Sequence, residues 1–228
     1  MKSKIIITFG PACFNLRTLK QVVDAGAEII RINTKYISIK DYEKIRGKIN
    51  SAGKVKIMID IKDRKIINKL LDKKFDYLAV SFAENPSEIV KIRKMFKKKI
   101  KIISKIETKK AVDNIDKLIK VSDGIMIARG DLGRAISFEK IPMIQKMITK
   151  KCNKKRIMSI TATEMMPSMV KYIRPSRAEV TDVANAVLEG SEALLLAEET
   201  AIGKNPVLSV KAMKKIIKET EKHKIEFR

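Results

Sequence analysis

Lys105 and Glu107 stand two residues apart at the end of an apolar run, Ile102-Ile103-Ser104-Lys105-Ile106-Glu107. Strand side chains alternate, so the ammonium and the carboxylate project from one face. A second apolar run, Gly124-Ile125-Met126-Ile127-Ala128, ends in the turn Arg129-Gly130-Asp131-Leu132-Gly133, which adds another carboxylate. Two carboxylates and an ammonium at neighbouring strand ends can hold a hard divalent cation and an anionic ligand together. An ordinary buried ion pair would account for Lys105 and Glu107 taken alone. It does not account for Asp131, nor for Arg31 at the end of another apolar run.

The elements that must position these groups alternate along the whole chain. Short apolar runs predict strands at 4–8, 28–33, 55–60, 77–81, 101–105, 124–128, 156–161 and 192–196. Helical stretches are predicted at 16–24, 39–51, 64–71, 86–97, 109–120, 141–151, 177–189 and 206–222. Continuous apolar strands are those buried on both faces. Eight such units in 228 residues predict an α/β fold, a parallel (β/α)8 TIM barrel in a single domain. An open doubly wound sheet would want a glycine-rich first turn, and Gly10-Pro11-Ala12 is not one. Barrels of this kind carry their chemistry at the C-terminal strand ends. Thr8, Arg31 with Asn33, Asp60 with Lys62, Ser81, Thr163, and Glu198 with Glu199 fall there beside Lys105, Glu107 and Asp131.

The net charge of +24 raises nucleic acid as a partner. The lysines, however, are spread over nearly every predicted helix, without aromatic interleaving or a basic tail, which reads as a solvated surface. No apolar run is long enough to span a bilayer, and Met1-Lys2-Ser3-Lys4 leads directly into a strand. The reading is a cytoplasmic protein with no membrane partner. Cys13 and Cys152 form no disulfide framework, and His223 lies on a polar terminal helix, so no histidine base is expected. Met143, Met147, Met165, Met166 and Met169 read as packing residues.

With these residues in view, the chain resembles the catalytic barrel of pyruvate kinase. The resemblance rests on Thr8-Phe9-Gly10-Pro11-Ala12, Arg31-Ile32-Asn33, Ala79-Val80-Ser81-Phe82 and Ile103-Ser104-Lys105-Ile106-Glu107. It continues through Ser122 to Gly133, Ala162-Thr163-Glu164-Met165, and Arg174-Pro175-Ser176-Arg177-Ala178-Glu179 with Asp182 to Val187. It implies that Glu107 and Asp131 bind Mg2+ or Mn2+, that Lys105 lies beside the transferred phosphoryl group, and that Arg31 contacts the phosphate. Gly130 and Asp131 would meet the substrate carboxylate through backbone N–H groups, with Ser81 among the substrate-binding residues. Thr163 would stand near the enol carbon, in proton delivery.

The chain also departs from that family. The lid domain, expected near 66–75, and the C-terminal regulatory domain are read as absent, leaving a catalytic barrel over 1–228. The family's Thr-Lys-Gly-Pro-Glu-Ile-Arg after the strand-three aspartate becomes Ile61-Lys62-Asp63-Arg64-Lys65-Ile66-Ile67, and its aromatic-Ser-His run becomes Thr34-Lys35-Tyr36. Asn33 and Asp60 mark the monovalent-cation site, and Lys65 or Lys35 is expected to place an ammonium where potassium would sit, so potassium is not required. Glu198 and Glu199 carry no assigned role.

The expected activity is phosphoryl transfer from phosphoenolpyruvate to ADP or another nucleoside diphosphate, yielding pyruvate. The alternatives are metal-dependent enolisation or decarboxylation of a 2-oxoacid such as oxaloacetate, and phosphoenolpyruvate binding without catalysis. A monomer or homodimer is expected, with a partner chain as one source of a lid.

Overall fold

A computed structural model describes residues 3–96 and 100–223. Its strands are β1 (Lys4–Thr8), β2 (Ile29–Asn33), β3 (Lys56–Ile61), β4 (Tyr77–Val80), β5 (Lys101–Ile106), β6 (Gly124–Ala128), β7 (Met158–Ala162) and β8 (Ala193–Leu196). All pair in parallel and in chain order, and β8 returns to β1 to close the barrel. Outside run α1 (Leu16–Ala25), α2 (Tyr42–Ala52), α3 (Pro86–Met95), α4 (Lys109–Asp113), α5 (Ile115–Val121), α6 (Arg129–Ala135), α7 (Ile141–Lys155), α8 (Arg177–Glu189), α9 (Glu198–Ala201) and α10 (Pro206–His223). Among the described residues no helix is long and apolar enough to cross a membrane.

Two cores follow from strand alternation. Ile5, Ile7, Ile30, Ile59 and Ile102 face outward and join the core under the helices. Ile6, Ile29, Met58, Ala79, Ile103, Met126, Ile160 and Leu195 face inward and fill the barrel. Two residues further on, the same inward faces carry Thr8, Arg31, Asp60, Ser81 and Lys105 from β1 through β5. From β6 through β8 the matching positions are Ala128, Ala162 and Ala197. The upper layer is therefore a polar arc facing a floor of alanines, above an apolar plug.

Local rules set the helix starts. The Asn15 and Asn85 side chains accept the N–H groups of Arg17 and Ser87, and α8 opens with a reciprocal capping box between Ser176 and Glu179. Three expectations change. The stretch 109–120 is two helices broken at Asn114, whose side-chain amide leaves the helix to donate to Glu84 O at 3.1 Å. The third crossover holds no α-helix; a 3-10 segment, Arg64–Leu70, tucks in Ile67 and Leu70 between β3 and β4. Met143 is 67% exposed and packs in no core, unlike the buried Met165, Met166 and Met169. The predicted end of α3 at Lys97 lies outside the described residues.

The seam between β1 and β8 is tight. A Cβ on Gly10 would lie 2.6 Å from Ala201 O and 2.8 Å from Ala201 Cα, both backbone atoms of α9. Gly10→Ala is predicted to destabilise the fold by about 1–3 kcal/mol, since neither strand end nor helix can move aside freely. The urea midpoint of unfolding checks this; an unchanged midpoint contradicts it.

Candidate active site

Asp60 is the centre of the polar arc. Its side chain is 2% exposed and lies between two cations. Arg31 Nε donates to Oδ2 at 2.8 Å, and Lys105 Nζ donates to Oδ1 at 3.2 Å. Ser81 Oγ donates to Oδ1 at 3.3 Å and itself accepts from Lys105 Nζ at 2.8 Å. Arg31 Nη1 donates to Thr8 Oγ1, and Thr8 Oγ1 donates to Leu196 O, each at 3.0 Å. Burial alone would raise the Asp60 pKa; the Arg31 and Lys105 charges override it and hold the carboxyl below its ordinary range.

Glu107 extends the cluster toward β6. Lys105 Nζ lies 3.0 Å from Oε1, and the Phe82 N–H donates to Oε2 at 2.6 Å. Here the balance reverses: burial pushes the Glu107 pKa up, and the Lys105 charge and the Phe82 N–H only partly offset it. An ammonium has three donors. Those of Lys105 are spent on Ser81, Asp60 and Glu107. Arg31 Nη2 makes no hydrogen bond among the described residues.

Asp131 stands apart from this core. It lies in the first turn of α6, its side chain is 44% exposed, and Oδ1 is 3.4 Å from Arg134 Nη1. Thr163 closes the far side. Its Oγ1 accepts the Gly130 N–H at 2.7 Å and donates to Ala162 O at 2.6 Å. Thr163 and Glu164 have φ of 68° and 54°, a left-handed pair that a β-branched residue rarely adopts.

The other expected site residues lie further out. Asn33 Oδ1 accepts the Lys35 N–H at 3.0 Å, closing a turn. Lys35 is exposed with its ammonium 5.0 Å above the Tyr36 ring, and Lys65 is exposed beside Asp63. The cations on Asp60 are thus Arg31 and Lys105. Among the described residues no three His, Cys, Asp or Glu side chains gather into a metal cage. The donor chemistry of Glu107 and Asp131 is of the type magnesium takes, commonly one or two carboxylates completed by ligand oxygens and water. Glu107 is buried after β5 and Asp131 is half-exposed in the first turn after β6, so the two carboxylates stand at the ends of neighbouring strands.

Three residues had no assigned site role in the sequence reading. Arg129 donates to Thr163 O at 2.9 Å, to Glu164 O at 2.8 Å and to Asp182 Oδ1 at 2.7 Å, holding the left-handed pair in place. Glu199 accepts the Met166 and Ala197 N–H groups at 3.0 and 2.7 Å, tying the β7 loop to the β8 loop. Arg64 binds Glu88 and Ser81 O. The available signal was an arginine directly after the β6 apolar run; its long-range partners left no trace in the sequence.

The chain matches the family model described as pyruvate kinase, barrel domain, over residues 46–210. It is similar to the pyruvate kinase of Thermotoga maritima, 41% identical over 233 residues, covering 93% of this chain and 50% of the relative. The pyruvate kinase of Methanocaldococcus jannaschii is 35% identical over 229 residues, covering 94% of this chain and 51% of the relative. That of Dictyostelium discoideum is 48% identical over 161 residues, 67% of this chain and 32% of the relative. The chain thus spans about half the length of the first two relatives.

Asp60→Asn removes the anion between two buried cations, and a loss of about 3–5 kcal/mol is predicted. The sign with pH follows from the lowered Asp60 pKa. Its contribution is complete above the unfolded value of about 3.9 and is lost as pH falls through the lower folded value. Urea unfolding across the acid range should show a steeper limb in the native chain than in Asp60→Asn, which keeps only the contribution of other carboxylates such as Glu179. Equal acid limbs would contradict the assignment.

Proposed function

The chain belongs to the pyruvate kinase family, and from that premise we propose that this barrel transfers the phosphoryl group of phosphoenolpyruvate to a nucleoside diphosphate. The observation that carries the reading is the gathering of Arg31, Lys105 and Glu107 around Asp60 at the mouth of the barrel. In the transfer, the bond from phosphorus to the enol oxygen breaks and a bond to the terminal diphosphate oxygen forms. The enolate then takes a proton on carbon, giving pyruvate. Arg31 Nη2 and Lys105 Nζ face the phosphoryl oxygens, where fixed positive charge stabilises the charge that spreads in the transition state. The Lys105 donor spent on Glu107 is the one for which a phosphoryl oxygen competes.

Glu107 and Asp131 would hold Mg2+ or Mn2+, which supplies Lewis-acid stabilisation of the enolate oxygen. Asp60 and Ser81 keep Lys105 oriented, which limits the reorganisation needed on binding. The Asp131 backbone N–H faces the substrate carboxylate, whereas the expected second donor, the Gly130 N–H, is engaged with Thr163 Oγ1 at 2.7 Å. Thr163, held there and through its carbonyl by Arg129, offers its hydroxyl near the carbon that is protonated.

Lys105→Met is predicted to lower kcat by roughly a hundredfold to a thousandfold, the range for loss of a preorganised electrostatic stabiliser. Glu107→Gln is predicted to weaken Mn2+ binding by at least about tenfold, the lower end for perturbing a metal's ligand set. Coupled assay of pyruvate formation with phosphoenolpyruvate, Mg2+ and several diphosphates tests the reading. Loss of oxaloacetate with no turnover of phosphoenolpyruvate would contradict it. Because Arg31 and Lys105 already neutralise Asp60, equal rates are expected in sodium and potassium; a strong rise in potassium would contradict that point.

A further inference from the structure

We propose that Arg64 is a positioning residue that grips one peptide group at the end of β4 and, through it, sets the geometry of Lys105 and Glu107; its consequence for ligand binding rests on the function proposed above.

Arg64 spreads its guanidinium fork over three segments. Nη1 donates to Lys62 O at 3.1 Å, within its own crossover. Nε and Nη2 meet the two oxygens of Glu88, in the first turn of α3, at 2.8 and 3.2 Å. Nη2 also donates to Ser81 O at 2.7 Å. A planar fork shared between a carboxylate and a carbonyl fixes direction as well as distance.

Ser81 O and the Phe82 N–H belong to the same peptide unit. On its oxygen side sits the Arg64 cation; on its N–H side sits Glu107 Oε2 at 2.6 Å. The peptide is planar, so fixing its C=O fixes its N–H. A cation on the carbonyl and a carboxylate on the N–H polarise the unit in the same sense, and each bond strengthens the other. Ser81, the residue before that peptide, also carries the hydroxyl that accepts from Lys105 Nζ at 2.8 Å. One carbonyl contact thus orients the partners of both functional side chains.

The turn needs an external grip. Phe82 has φ of 50°, strained for a bulky residue, and such conformations persist when the surroundings over-determine them. Lys62 Nζ lies 5.4 Å from the centroid of the Phe82 ring, a second contact from the same crossover. The resemblance aligns Arg64 with a proline, which has no side-chain donor, so this clamp belongs to this chain's short third crossover.

The test uses the full chain and two readouts. In the metal-free protein, amide hydrogen exchange at Phe82 should accelerate by on the order of tenfold or more in Arg64→Ala, while amides of β6 are unchanged. Arg64→Lys should not restore protection, because one ammonium cannot serve Glu88 and Ser81 O as a fork does. Calorimetric binding of Mn2+ with oxalate should weaken several-fold in Arg64→Ala and in Ser81→Ala. The double variant should weaken by less than the product of the two, as for residues acting through one turn. Glu88→Gln, which loosens the anchor but leaves Arg64, should shift both readouts in the same direction by less, and serves if Arg64→Ala does not fold. Unchanged Phe82 exchange overturns the clamp. Faster exchange with unchanged Mn2+–oxalate affinity overturns its link to the site. Faster exchange in the variant, with no Mn2+–oxalate binding by the native chain, overturns the proposed function and leaves the clamp standing.

Discussion

Asp60 is a carboxylate sealed from water above an apolar plug, and the upper half of the barrel is arranged around keeping it charged. A lone buried carboxylate would take up a proton rather than remain ionised. Arg31 from β2 and Lys105 from β5 reach across the mouth to prevent that, so three strands are locked to one another by a single side chain. Glu107 then enters as the second anion, less well compensated than the first. The two carboxylates are thus treated unequally: Asp60 is held between two cations, and Glu107 is set against Lys105 and one backbone N–H.

Strain at the mouth is concentrated in two turns, and each is restrained by an arginine. Phe82 is held between Arg64 and Glu107, and the Thr163–Glu164 pair is held by Arg129. In both places the guanidinium binds backbone carbonyls, which are fixed to the barrel, rather than a mobile side chain. Arg129 is anchored behind by Asp182 on α8, and Arg64 by Glu88 on α3. The strand ends are thereby coupled to the helices outside them, so that the outer shell helps set the inner geometry.

The barrel and half of this cluster were legible in the sequence because they follow from periodicity. Eight apolar runs defined the strands, and the two-residue spacing of Lys105 and Glu107 put both on the inner face. The same rule carries Thr8, Arg31, Asp60 and Ser81 into one layer once the register is known. What escaped depends on contacts between distant residues. Asn114 breaks a helix because Glu84 O is beside it, which no local propensity encodes. Lys35 and Lys65 lie close in sequence to Asn33 and Asp60, yet both fall past the strand ends, where side chains turn to solvent. Arg64 and Arg129 were missed because their partners are carbonyl oxygens 17 and 34 residues away, and carbonyls carry no sequence signature.

Glu107 and Asp131 are proposed to share one divalent ion in front of Arg31 and Lys105. A crystal structure of the chain soaked with Mg2+ and oxalate tests it most directly. One ion bound by oxygens of both carboxylates is expected, with the oxalate between that ion and the two cationic side chains. An ion bound elsewhere, with the Lys105–Glu107 pair unchanged and Asp131 turned to solvent, would contradict it.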